Sequence, residues 1–174
     1  MSDNAEESIQ YYEPWEFDNE TLEHLRNNDP HLDSLHMFSG IQQWGNPLKI
    51  DWGREGSAIS NNTHLKSLEI DQFALRIAGD REKRYAERNV RNLYRAISKN
   101  RSIDWLKMEG CIVRDLLSMK EVFSILTPTL QNLCSLNVRD ISLDCEIMEL
   151  LARGCTSKLR CIGLNNCEGN YLDG

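Results

Sequence analysis

Four histidines and six cysteines are the side chains best suited to bind a metal or attack a substrate. The histidines are His24, His31, His36 and His64, and none stands at a tight metal-ligand spacing to another His or Cys. The cysteines are Cys111, Cys134, Cys145, Cys155, Cys161 and Cys167, with no C-x-x-C pair among them, so a zinc site is not expected. An even number of cysteines formally allows disulfides, but without a secretory signal reduced and mostly buried thiols are expected. Asp104, Glu109 and Asp115 are the acids from which a catalytic carboxylate pair could be drawn, and solvated surface acids are their ordinary reading. There is no glycine-rich phosphate loop, no H-E-x-x-H and no G-x-S-x-G. No catalysis, cofactor or metal is therefore expected, and binding is the chemistry that remains.

Composition bounds the kind of binding. A chain of 174 residues is long enough for one domain with a sizeable core. Hydrophobic content of 40% and charged content of 27% are ordinary for a soluble globular protein. No apolar run approaches the roughly 18–20 residues of a membrane span. The N-terminus, MSDNAEESIQ, lacks the basic start and apolar stretch of a secretory signal. A cytoplasmic protein is expected, with the nucleus left open. The net charge of −7 argues against a nucleic-acid partner. Acid gathers at the front, where Met1 to Asp33 holds ten Asp or Glu against the single base Arg26. Residues 1–19 are read as an acidic, partly disordered leader. The triplets beginning at Asn19, Asn61 and Asn100 fit the N-glycosylation pattern, which matters only in the secretory pathway.

The elements that position side chains emerge when the chain is aligned on itself. Ala58-Ile-Ser-Asn-Asn-Thr-His-Leu-Lys-Ser-Leu-Glu-Ile70 lies over Ala96-Ile-Ser-Lys-Asn-Arg-Ser-Ile-Asp-Trp-Leu-Lys-Met108. The second half of each is the L-x-x-L-x-L core of a leucine-rich repeat. That core occurs five times, as Leu32/Leu35/Met37, Leu65/Leu68/Ile70, Ile103/Leu106/Met108, Leu133/Leu136/Val138 and Leu159/Ile162/Leu164. Seven residues before each stands an apolar residue: Leu25, Ala58, Ala96, Leu126 and Ala152. Successive triads are 33, 38, 30 and 26 residues apart, a wider spread than the usual 20–29. Two repeats continue to Cys at the next signature position, Cys111 and Cys167, where a thiol can tie down the turn weakly or fill space.

In each triad the last two apolar residues are two apart, so on a strand they share one face and the residue between them takes the other. Between strands the chain turns helical. Arg88 to Lys99 carries Val90, Leu93, Tyr94 and Ile97 at helical spacing, Lys120 to Leu126 carries Val122 and Phe123, and Cys145 to Ala152 follows Asp144 as N-cap. Glu20 to Asn27 fits a short helix, and Ser57 to Ser60 a helical turn. Gly45-Asn46-Pro47 marks a loop, with Trp44, Ile50 and Trp52 packed beneath it. The predicted fold class is α/β: a curved leucine-rich-repeat solenoid with short parallel strands on the concave face and helices on the convex face. It spans residues 20–174 in about five irregular repeats and ends uncapped just past a strand. Tyr11, Tyr12, Trp15 and Phe17 of the leader either cap the first repeat or form a docking motif.

Asn61-Asn-Thr-His-Leu-Lys-Ser-Leu-Glu-Ile70, with Leu-x-x-Ile-x-Leu-x-x-Cys at Leu159–Cys167, resembles ribonuclease-inhibitor-like leucine-rich-repeat proteins. The long, irregular repeats look most like algal or other protist members. The resemblance covers about Leu25 to Cys167 and implies a solenoid used for protein–protein recognition, with no catalytic residues carried over. The expected function is a non-catalytic scaffold holding another protein on the concave face. The candidate contacts are the outward strand residues His36, Glu69, Asp71, Trp105, Lys107, Glu109, Asn137 and Arg139, with Trp105 either an exposed hot spot or packed across the strand against Lys107 or a loop. One alternative is a substrate-recognition subunit of an F-box-type ubiquitin ligase, although residues 1–50 show no Leu-Pro followed by three apolar helices. Another is a GTPase regulator built from the same repeats. The segment from Arg81 to Arg95 carries six basic residues and is read as a solvated convex helix with i,i+4 pairs such as Glu87–Arg91.

Overall fold

Apolar residues two apart make a strand face, and five such faces line up here in one sheet. The computed structural model describes residues 19–37, 51–71, 80–109 and 116–167. Helix and strand alternate in the order α1 (Asn19–Arg26), β1 (Ser34–Met37), α2 (Trp52–Asn61), β2 (Ser67–Ile70), α3 (Asp80–Lys99), β3 (Trp105–Glu109), α4 (Met119–Leu130), β4 (Ser135–Arg139), α5 (Cys145–Gly154) and β5 (Cys161–Asn165). All four pairings are parallel, the strands stand in chain order, and the sheet is open. The leader and its aromatics, Trp44, Ile50, Gly45-Asn46-Pro47, Cys111 and Asp115 lie outside the described residues.

One register runs through the whole sheet. Leu35 pairs with Leu68, Leu68 with Leu106, Leu106 with Leu136, and Leu136 with Ile162. The middle triads are sealed: Leu65, Leu68, Ile103, Leu106, Leu133, Leu136 and Val138 have no exposed surface at all. They join Ile59, Ile97, Phe123, Leu126 and Leu130 of the helices in a single core. The row is less covered at β5, where Ile162 is 48% and Leu164 39% exposed.

The joints between units repeat as the sequence does. Two consecutive N–H groups at each strand entry donate to one carbonyl of the preceding unit. Lys66 and Ser67 bond the Asp33 carbonyl, Asp104 and Trp105 that of Lys66, Cys134 and Ser135 that of Asp104, and Arg160 and Cys161 that of Cys134. Buried asparagines reinforce two of the joints. The Asn62 Oδ1 accepts from the His64 and Leu65 N–H groups at 2.9 and 2.7 Å. The Asn100 Oδ1 accepts from Ser102 and Ile103 at 2.7 and 3.0 Å, and its amide donates back to the Ile59 and Asn62 carbonyls at 2.6 and 2.8 Å. Each asparagine thus gives two turn N–H groups an acceptor and adds a donor to helix-end carbonyls. In the next unit Thr129 takes over part of this work, donating to the Ile97 carbonyl at 3.2 Å. Cys167, half-buried, turns its Sγ toward the Val138 carbonyl at 3.6 Å, the weak turn contact expected of it.

Several expectations need correction. The region of Ser57–Ser60 is a full helix, α2, capped by Asp51, which accepts from the Gly53 N–H at 2.9 Å. Gly53 and Gly56 hide this helix in the sequence because glycine is a poor helix former. Gly56 is required by packing, since a Cβ there would lie 2.8 Å from the Ala96 Cβ of the neighbouring helix. Helix α3 joins the segment from Arg81 and the periodic stretch to Lys99 in one helix that begins at Asp80. Helix α4 continues through Pro128 to Leu130, because Thr129 and Leu130 are buried and tertiary packing outweighs the proline. Ala152 is exposed, and Leu151 and Gly154 supply the buried face of α5 instead. Gly154 fits there because a Cβ would come 2.7 Å from the Leu130 Cδ1. Arg91 bonds Glu121 of α4 at 2.7 Å, so it ties two helices together instead of pairing along its own. The described cysteines are free thiols, but Cys145 and Cys161 are exposed and Cys134, Cys155 and Cys167 only half-buried. Cys145 begins a helix on its solvent side and Cys161 points off the sheet, which accounts for their exposure.

The asparagine joints make a graded prediction. Asn100→Ala takes the acceptor from two turn N–H groups and one donor each from the Ile59 and Asn62 carbonyls, and is expected to lower the unfolding free energy by about 3 kcal/mol. Asn62→Ala is expected to cost roughly 1 kcal/mol less, because its amide reaches the Leu25 carbonyl only at 3.5 Å. Urea unfolding of the two variants checks both the size and the order.

Candidate functional site

The alternation that buries the leucines sends every other strand residue to the opposite face. The fixed register then arranges those residues in rows across the sheet. Ser34, Ser67, Trp105, Ser135 and Cys161 form one row, and His36, Glu69, Lys107, Asn137 and Gly163 the next. Asp71 just past β2, with Glu109, Arg139 and Asn165, continues the pattern at the strand ends. Parallel neighbours lie about 4.8 Å apart, so side chains in one row are forced into contact.

Six of the eight predicted contact residues meet in one ionic cluster. The His36 Nε2 lies 3.3 Å from the Glu69 Oε1 and 3.3 Å from the Asp71 Oδ2. The Lys107 ammonium donates a hydrogen bond to the Glu69 carboxylate, lies 3.2 Å from the Glu109 Oε2, and faces the Asp71 Oδ1 at 4.0 Å. Arg139 closes the far side, 3.4 Å from Glu109 and 3.4 Å from Asp140. Glu69, Asp71, Lys107 and Glu109 are only 20–26% exposed, while Arg139 at the rim is 48% exposed. Such partial burial weakens solvent screening and makes the pairs better fixed than ordinary surface ion pairs.

The charges have a measurable consequence at Lys107. Its hydrogen bond to Glu69 raises the ammonium above its ordinary 10.5, against an opposing loss of hydration, with further help from Glu109 and Asp71. Because the folded value is raised, this contribution to stability is complete below the ordinary lysine value. It disappears as the pH climbs through the raised one.

The other two predicted residues stand apart from the cluster. Asn137 accepts a hydrogen bond from the Asn165 amide at 3.1 Å, forming a neutral pair toward β5. Trp105 sits between Ser67 and Ser135. It is half-buried rather than exposed, because strands on both sides screen part of the indole. Between two serines it remains the large apolar group of its row.

Chain spacing alone concealed one relationship. His36 has no His or Cys at a tight metal-ligand spacing in sequence, yet the sheet brings it close to Glu69 and Asp71, and the ligand atoms of the three all lie within 4.8 Å of one another. The signal was present in the repeat: once Leu35 lies over Leu68, His36 must lie over Glu69. Away from the sheet, α3 exposes Arg81, Lys83, Arg84 and Arg88, and the Arg88 guanidinium stacks over the Tyr85 ring at 5.5 Å. No helix among the described residues is long and apolar enough to cross a membrane.

No protein-family model matches the chain, and no curated protein matches it. Among solved structures it is similar to the tropomodulin C-terminal domain of Caenorhabditis elegans, at 14% identity and a TM-score of 0.38, over 78% of this chain and 92% of that one. A likeness of that strength carries neither fold nor function across.

Replacing Glu69 tests the electrostatics of the cluster. Glu69→Gln is expected to let Lys107 titrate nearer its ordinary 10.5, since the largest cause of its raised value is removed. A side-chain NMR titration of Lys107 in both proteins reads this directly.

Proposed function

We propose that the chain is an irregular leucine-rich-repeat solenoid, without catalytic activity, that binds another protein on the helix-free face of its sheet. The observation that carries the reading is the coincidence of Trp105 with an in-register ionic cluster on that one face. Five units, the same two-donor stitch at every joint, and sealed leucine rows all support a repeat architecture. Curvature follows from a spacing mismatch. Packed helices sit about 8–10 Å apart and paired strands about 4.8 Å, so stacked units close toward the strand side. The open sheet face then becomes concave.

The residues proposed for the contact are His36, Glu69, Asp71, Trp105, Lys107, Glu109, Asn137 and Arg139. Charges of both signs held in fixed positions discriminate among partners and guide the encounter more than they add affinity. The indole supplies the apolar anchor such an interface needs, and burying its remaining exposed surface is the favourable step. The net charge of −7 is unfavourable to a nucleic-acid partner.

Partners captured from the source cell by the wild-type chain, and then purified, provide the test. Trp105→Ala is expected to weaken their binding by about 2 kcal/mol, roughly thirtyfold, with an unchanged unfolding midpoint. Equal affinity of the variant for every captured partner removes Trp105 from the interface.

A further inference from the structure

The ionic cluster holds more negative charge than its own bases neutralise. Glu69, Asp71 and Glu109 face Lys107 and Arg139, and Arg139 is shared with Asp140. Two of these carboxylates also flank an imidazole nitrogen. Tetrahedral zinc with bonds of about 2.0–2.2 Å spaces its ligand atoms roughly 3.4 Å apart. The His36 Nε2 lies 3.3 Å from both the Glu69 Oε1 and the Asp71 Oδ2, so two edges of such a tetrahedron are already in place. The third, between the two carboxylates, lies within 4.8 Å.

We propose that His36, Glu69 and Asp71 form a site for a zinc-like divalent cation, bound through one imidazole nitrogen and two carboxylate oxygens.

Two further observations support it. The carboxylates already hold a cation, because the Lys107 ammonium sits on Glu69 and faces Asp71. In addition, the other oxygen of that carboxylate, the Asp71 Oδ1 that lies 4.0 Å from Lys107, is buried and accepts no hydrogen bond among the described residues. The backbone is prepared for the task, since His36 and Glu69 are register partners on adjacent strands and Asp71 follows two residues later on the same face. Two ligands therefore come from paired strands, and the third from the residue just past β2, whose N–H donates to the Met37 carbonyl at 2.9 Å. The nitrogen donor selects the class of ion: imidazole suits zinc and its transition-metal neighbours, whereas magnesium and calcium take oxygen ligands. Three protein ligands leave the fourth position to water or to a group from a bound partner. Lys107 is the built-in competitor. When the ion arrives its ammonium has Glu109, 3.2 Å away, as the remaining acceptor.

This site does not depend on the protein-binding reading, and its test needs no partner. Zinc alone is titrated calorimetrically into the full chain and into His36→Gln, Asp71→Asn and Lys107→Gln, with the thiols unchanged throughout. Loss of a ligand in His36→Gln or Asp71→Asn is expected to weaken one binding event by about tenfold or more. Lys107→Gln is expected to tighten the same event severalfold, a gain that misfolding cannot produce. The proposal is overturned if His36→Gln and Asp71→Asn bind zinc like the wild type, which would place the metal elsewhere in the chain. It is equally overturned if Lys107→Gln binds no more tightly than the wild type.

Discussion

Every side chain on the open face stands where it does because four successive strand pairs keep the same register. The constraint is enforced twice. Leucine rows on the inner face tolerate no slip, since a shift of one residue would turn each leucine to solvent and each charge into the core. The shared carbonyls of Asp33, Lys66, Asp104 and Cys134 set the starting point of each new strand. Asn100 and Asn62 then hold the helix ends against those starts, so an error in one unit would leave buried polar groups unsatisfied in the next.

From that register the candidate site follows with little freedom. His36, Glu69 and Lys107 are neighbours in a row because Leu35, Leu68 and Leu106 are neighbours in the row beneath. Three carboxylates around one ammonium would be a poor way to gain stability, because partial dehydration of the charges offsets much of their attraction. In the proposed function their value is positional: the sheet holds them fixed before any ligand arrives, and preorganised charge lowers the entropic cost of binding. Trp105 stands in the adjacent row, where an apolar contact and an ionic one can be made by the same ligand surface.

Units of unequal length are reconciled on the helix side. The sequence between β2 and β3 is the longest and yields a 20-residue helix, yet the strands it connects pair as evenly as the others. Close packing is preserved by small residues where helices meet: Gly56 against Ala96, and Gly154 against Leu130. Arg91 and Glu121 add a polar tie across the α3–α4 contact. Irregular repeat lengths are thus absorbed in helix length and in connecting segments, leaving the sheet regular.

The sequence by itself determined the five triads, the alternation of strand and helix, the N-cap at Asp144 and the outward set from His36 to Arg139, because these depend on periodicity along the chain. It concealed α2 behind two glycines and the end of α4 behind Pro128, because local propensity opposes what packing there requires. It gave no indication that Ala152 would be exposed and left Trp105 open between exposed and packed, because exposure depends on which neighbours cover a residue. The tertiary structure alone decided that His36, Glu69 and Asp71 share one spot. Residues 33 positions apart become neighbours only when strands pair, and pairing is fixed by a core that none of the three belongs to.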